Sequence, residues 1–239
     1  MFNKPILNHE SQFLSGPNSR GREFMFVLRV GYQFLRGFRK LHFIGPAITV
    51  FGSARFKEDN QYYQKARMLG GELVNLGFAV ITGGGPGIME AANRGAFEAG
   101  GSSIGCTIKL PREQNNNAYM TKFVPFEFFF IRKVLLTKYS YAFVVMPGGF
   151  GTLDELFETL TLIQTGILHK FPVVIMGTEF YKDVVEQIDV MITEGTISSD
   201  DKHLIKFTDD VQEASDHIFQ FINKNYKIRP KSWWILGEG

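Results

Sequence analysis

The chain has 239 residues, 44% hydrophobic and 21% charged, enough for one α/β domain with a substantial core and too apolar for a disordered chain. Its 26 basic and 24 acidic side chains leave a formal charge of +2, which gives no reason to expect nucleic acid as a partner. A single cysteine, Cys106, excludes an internal disulfide and a thiolate zinc site, and five scattered histidines form no metal motif, so neither metal nor cofactor is expected.

The opening Met1-Phe2-Asn3-Lys4-Pro5 lacks the apolar stretch of a signal peptide, and no apolar run reaches the roughly 18 residues of a membrane span. A cytoplasmic protein is the expectation. Residues 1–20 mix Pro, Asn, Ser and Gly with isolated apolar residues and read as an extended arm. Over 22–40, Phe24, Leu28, Tyr32 and Leu35 recur at helical spacing beside Arg29, Arg36, Arg39 and Lys40. This predicts a basic amphipathic helix that docks on its own domain or on a second subunit, with a membrane surface as the lesser alternative. Residues 1–44 are thus set apart from a domain over 45–225, and 226–239, with Trp233 and Trp234, read as a tail.

Within the domain the pattern is regular. Short apolar strands are predicted at 47–51, 78–82, 103–108, 122–126, 141–146 and 171–176, alternating with helices at 62–76, 88–99, 128–139, 150–164, 179–194 and 209–223. Such alternation predicts an α/β fold: a single-domain, Rossmann-like, doubly wound parallel sheet with helices on both faces. The aperiodic stretch 109–120, with Pro111 and Asn115-Asn116-Asn117, reads as a mobile loop.

Two glycine-rich turns each follow a strand and open a helix: Thr82-Gly83-Gly84-Gly85-Pro86-Gly87 and Pro147-Gly148-Gly149-Phe150-Gly151-Thr152. Glycines let backbone N–H groups approach a ligand, and the helix start favours an anion, so phosphate is the natural occupant. Glu155, one turn beyond the second site, suits a ligand that becomes positive as it reacts, such as a sugar losing its leaving group. The commoner glycine motifs fail on the letters. A dinucleotide fingerprint starting at Gly83 would need glycine at position 88, where Ile88 stands, and in the frame of Gly85 it meets Glu90. A P-loop needs lysine after its last glycine, whereas Gly151 is followed by Thr152-Leu153. Neither turn is a serine nucleophile elbow.

With those excluded, the chain resembles the LOG (lonely guy) family, which carries Pro-Gly-Gly-x-Gly-Thr-x-x-Glu, present letter for letter at 147–155. Its Gly-Gly-Gly-x-Gly-x-Met turn is present at 83–89, and its Arg-Lys pair matches Arg132-Lys133. The resemblance spans about 47–177. Many members are named lysine decarboxylases, yet it implies hydrolysis of nucleoside 5'-monophosphates to free base and ribose 5-phosphate, AMP and cytokinin riboside monophosphates being the substrates of different members. Decarboxylation with pyridoxal phosphate commonly uses Ser-x-His-Lys, and before His169-Lys170 the serine position holds Ile167.

Glu155 is accordingly the expected anion beside the sugar, aligning or deprotonating water, and the resemblance carries Arg132 over as the second catalytic residue. Gly148, Gly149, Gly151 and Thr152 are expected to hold the 5'-phosphate. Gly83, Gly84, Gly85, Gly87, Met89, Ser53 and Lys133 complete the nucleotide-binding set. Asp154 and Glu158 are assigned to solubility and helix pairing. The resemblance further implies a homodimer or larger homo-oligomer whose subunits complete each other's pockets. The alternative is a non-catalytic binder, since relatives with this fold carry molybdenum cofactor.

Overall fold

The computed structural model describes residues 9–109, 116–169 and 171–226. Its elements in chain order are α1 (His9–Leu14), α2 (Arg20–Leu41), β1 (Ala47–Phe51), α3 (Gln61–Asn75), β2 (Ala79–Thr82), α4 (Ile88–Glu98), β3 (Ser103–Ile108) and β4 (Lys122–Phe126). Then follow α5 (Phe129–Tyr139), β5 (Ser140–Val145), α6 (Phe150–Gln164), β6 (Val173–Ile175), α7 (Lys182–Thr193), a 3-10 turn (Ser199–Leu204), β7 (Ile205–Phe207) and α8 (Val211–Asn225).

The seven strands form one parallel sheet in the order β4-β3-β2-β1-β5-β6-β7. The chain therefore builds outward from β1 to β4, then returns to the other side of β1 as β5. That reversal leaves a crevice at the carboxyl ends of β1 and β5, the place where such sheets bind ligands.

Strand sequences that read as unbroken apolar runs are buried on both faces. Within β1, Ala47 and Phe51 join a core with residues of α2, α5, α6 and α7, whereas Ile48 and Val50 join a second core with α3, α4 and α8. The predicted doubly wound fold is the one observed.

Three local expectations are corrected. The arm is helical at His9–Leu14, where an extended segment was expected: Phe13 stacks on Phe26 of α2 with centroids 3.8 Å apart, a tertiary contact that local composition does not announce. The basic helix does dock on its own domain, but through the face opposite the expected one. Phe24, Leu28, Tyr32 and Leu35 point outward, whereas Gln33, Gly37 and Leu41 are buried against α5 and β4. Two apolar stripes share this helix, and Gly37 decides between them, because a β-carbon there would collide with Leu135. Finally, the sheet gains a strand that no apolar run foretold, β7, whose three residues pair with β6.

The predicted loop at 109–120 is described only in part, residues 110–115 lying outside the described set, as do Lys170 and the tail with Trp233 and Trp234. Asn117, expected in that loop, is buried at 6% exposure and bonded to the first glycine turn. No described helix is long and apolar enough to cross a membrane.

Candidate active site

Three loops meet in the crevice. After β1, Ser53 donates its N–H to the Pro147 carbonyl at 2.9 Å, and its own carbonyl accepts the N–H of Ile88 at 2.9 Å. The β1 turn thereby ties the first glycine turn to the second. Gly87, with φ of 70°, lies so close to the Ser53 carbonyl that a β-carbon would overlap it. Ser53 spends its hydroxyl on the N–H of Arg55 at 3.1 Å, so its observed role is to shape the crevice.

The first turn is braced from beneath by a buried polar network. Thr82 accepts the Gly84 N–H at 2.9 Å, and its hydroxyl donates to Asn93 at 2.5 Å. Asn93 also donates to Ser103 at 2.8 Å. Asn117 closes the set by donating to the Gly85 carbonyl at 3.1 Å and to Asn93 at 3.0 Å, while its N–H reaches the Gly84 carbonyl at 3.0 Å. Sequence reasoning missed these residues; the available signal was three polar residues, Thr82, Asn93 and Ser103, on apolar strands and a helix, where each needs a buried partner, while Asn117 lies in a loop and gave none.

The second turn opens α6 differently. The Gly149 carbonyl accepts from Thr152 and Leu153 at 3.0 and 3.1 Å, beginning the helix, and positions corresponding to β-carbons at Gly149 and Gly151 meet nothing within 4 Å. The earliest N–H groups of a helix have no intrahelical acceptor, so this end is an electropositive, unobstructed seat. Thr152 folds its side chain over Gly148. Tyr181, also missed, supports the turn: its hydroxyl donates to the Met146 carbonyl at 2.8 Å.

Glu155 lies on the buried face of α6 with Thr152, Leu156 and Thr159, and is 2% exposed. Its Oε1 is 3.4 Å from the Arg132 guanidinium of α5. Burial pushes the Glu155 carboxyl up to about 7, opposed by the positive charges of Arg132 and Lys133 and assisted by Glu158 and Asp154. A carboxyl poised there exchanges its proton near neutrality, the property of an acid–base group.

Arg132 lies over the Phe129 ring, 5.1 Å from its centroid, and its Nε is buried with no partner among the described residues. A buried, unpaired donor is costly unless something else accepts from it. A β-carbon on Gly83 would lie 2.7 Å from the Met89 sulfur and 3.9 Å from Arg132, so the first turn reaches the same spot.

Lys133, the next residue on α5, also meets α6: it bridges Asp154 at 3.0 Å and Glu158 at 2.5 Å, and its charge acts on Glu155 from there. The helix pairing assigned to these two acids is thus visible. Gly83, Met89, Arg132 and Glu155 are linked by these contacts, Thr152 shares the buried face of α6 with Glu155, Lys133 is held by Asp154 and Glu158, and Ser53 ties the two glycine turns together.

A family model described as possible lysine decarboxylase matches residues 89–218. The cytokinin riboside 5'-monophosphate phosphoribohydrolase LOG1 of Arabidopsis thaliana is 31% identical over 195 residues, spanning 80% of this chain and 91% of that protein. The chain belongs to the LOG family. The LOG phosphoribohydrolase of Oryza sativa subsp. japonica is 34% identical over 158 residues, 64% of each chain. Among solved structures, the Moco carrier protein of Chlamydomonas reinhardtii superposes with a TM-score of 0.56 at 25% identity, covering 75% of this chain and 99% of that one. The molybdenum cofactor binding protein of Rippkaea orientalis gives 0.57 at 20% identity, covering 74% and 98%, which shows a shared fold. The LOG family thus includes nucleoside monophosphate phosphoribohydrolases, and the Arg132–Glu155 pair lies within the matched region.

Proposed function

We propose that this LOG-family chain hydrolyses the N-glycosidic bond of nucleoside 5'-monophosphates, releasing free base and ribose 5-phosphate. The observation that carries this reading is the buried Arg132–Glu155 pair set one turn into the helix whose glycine-lined start seats an anion.

The 5'-phosphate occupies the start of α6 at Gly148, Gly149, Gly151 and Thr152, fixing the ribose by its terminal charge. Gly83, Gly84, Gly85 and Gly87 form the opposite wall, and Met89 packs on the base. As the bond from C1' to the base lengthens, positive charge grows on the ribose ring, and ionised Glu155 stabilises it. The same carboxylate takes a proton from the water that attacks C1'. The base leaves with the bonding electron pair and takes up one proton, replacing the one that Glu155 took from water and returns to solvent, while Arg132 hydrogen-bonds the ribose or the departing base through its unpaired Nε. AMP and N6-modified adenosine monophosphates are the substrates proposed.

Two copies are proposed to pair across the outer side of α5 and α6, where Phe150 is 94% exposed and Phe157, Phe130 and Val134 are exposed beside it. A cytoplasmic location belongs to the same proposal. Decarboxylation draws no support here: His169 lies in the α6–β6 connection, at the opposite end of the sheet from the glycine turns.

The test is a panel of purified nucleoside 5'-monophosphates incubated with the protein and resolved by chromatography. Free base and ribose 5-phosphate in equal amounts are expected. A panel that stays intact while a nucleotide or molybdenum cofactor binds would replace hydrolysis with a carrier role.

A further inference from the structure

We propose that the N-terminal arm is a positioning device for Arg132, in which Glu10 of α1 caps the start of α5 and Gln33 of α2 anchors Glu127 just ahead of its N-cap. The inference builds on the proposed hydrolysis for its kinetic consequences, while its structural part stands on contacts that Glu10 and Gln33, both ahead of the region matched by the family model, make to residues within it.

Helix α5 begins poorly by its own sequence. Its N-cap is Phe128, followed by Phe129 and Phe130, and no local side chain accepts a hydrogen bond from the first N–H groups. Helix starts normally recruit Ser, Thr, Asp or Asn for that purpose. Here the acceptors come from more than 90 residues away. Both carboxylate oxygens of Glu10 accept the Phe129 N–H, at 3.1 and 3.2 Å, and the Gln33 side-chain oxygen accepts the Glu127 N–H at 3.0 Å. Gln33 is buried at 5% exposure, which fixes its direction. A carboxylate at a helix start also complements the positive end of the dipole.

A column of rings holds the arm in place. Phe13 stacks on Phe26 at 3.8 Å, Phe26 meets Phe128 edge-on at 5.1 Å, and Phe128 stacks on Phe130 at 5.6 Å. The capped residue, Phe129, is the one whose ring lies under the Arg132 guanidinium, and the Arg132 N–H returns to the Phe128 carbonyl at 3.3 Å. The turn that Glu10 caps is therefore the turn that aims Arg132 at Glu155. If that turn frays, Arg132 drifts from Glu155, whose remaining charged neighbours, Lys133, Asp154 and Glu158, do not replace it.

The experiment compares Glu10→Ala with Glu10→Gln in the full chain, the amide oxygen of glutamine keeping the acceptor. In Glu10→Ala the Phe129 amide is expected to exchange faster with solvent, the Glu155 carboxyl to titrate at higher pH by carbon NMR, and kcat for the nucleotide to fall about tenfold. Glu10→Gln is expected to restore all three. If Glu10→Ala matches the wild type in amide exchange and Glu155 titration, or if glutamine fails to rescue, the positioning role is overturned. Wild-type protein that releases no base from any nucleotide would overturn the hydrolysis alone, since amide exchange and carboxyl titration still report on the cap.

Discussion

Gly84 and Gly87 of the first turn both sit in the left-handed region at φ of 70° with other atoms pressed against them, whereas Gly149 and Gly151 of the second turn face open space. Beneath the first turn, Thr82, Asn93, Ser103 and Asn117 form a buried polar network; at the second, Glu155 waits one helical turn beyond an unobstructed N-terminus. Two stretches with similar letters therefore divide the labour. At the first turn Gly84 and Gly87 are demanded by the protein's own packing, making it a wall, whereas at the second Gly149 and Gly151 leave space clear, as the proposed phosphate seat requires. Substitutions in the two turns should fail in different currencies, stability in one and activity in the other.

The largest effect is expected from Glu155→Gln, beside the seat. Base release should fall about 100- to 1000-fold, the scale of removing one electrostatic stabiliser of a transition state, while nucleotide binding and the fold survive. In the wild type, kcat/KM should rise with pH through about 7 as Glu155 ionises, and this limb should vanish in the variant. Stability has the opposite slope. Because the folded carboxyl titrates above its ordinary value of 4.5, the native state holds the extra proton between 4.5 and about 7. The contribution of this group is thus complete below 4.5 and is lost as pH rises through about 7. Glutamine, free of that loss, should stabilise the protein at pH 8 by up to about 3 kcal/mol and have little effect near pH 4. Urea titrations at the two pH values measure the difference; an equal effect at both would remove Glu155 as a buried titrating group.

Next comes the wall. Gly87→Ala combines a left-handed backbone with a β-carbon driven into the Ser53 carbonyl, and should cost about 3 kcal/mol or more. Asn117→Ala follows at about 2 kcal/mol, since it strips partners from the Gly85 carbonyl and from Asn93 in a buried setting. Both are read as lowered urea midpoints. If either variant kept full stability and lost only activity, the first turn would be a ligand seat like the second.

What was legible in the sequence follows the same division. Strands buried on both faces announce themselves as apolar runs, so six of the seven strands and the doubly wound order of elements could be read directly. The open turn and the buried Glu155 were legible because glycines, a helix start and the acid lie within nine consecutive residues. The Arg132–Glu155 contact was not, since 23 residues of chain separate its partners, and only family resemblance pointed to the arginine. Lys133, adjacent to Arg132 in sequence, also meets α6, where it bridges Asp154 and Glu158. The face used by α2 and the helix at His9–Leu14 were hidden for a related reason. Each is chosen by a partner far along the chain, Leu135 against Gly37 and Phe26 against Phe13, and periodicity within one segment cannot rank two apolar stripes.

The smallest change in stability should come from Gly149→Ala, and it separates the two turns most cleanly. Residue 149 has φ of −98°, which alanine adopts without strain, and no atom lies within 4 Å of the new methyl group. Residue 149 is the N-cap of α6, where glycine is preferred to alanine, so stability should fall by no more than about 1 kcal/mol. The larger effect is expected from what approaches the start of α6. A methyl group at the mouth of the seat holds a phosphate away from the helix N–H groups, and KM for a nucleoside 5'-monophosphate should rise about tenfold, equivalent to about 1.4 kcal/mol. The corresponding nucleoside lacks the phosphate and should not distinguish the variant from the wild type. An unchanged KM for the nucleotide would mean that its phosphate rests elsewhere, and the first turn would become the place to look.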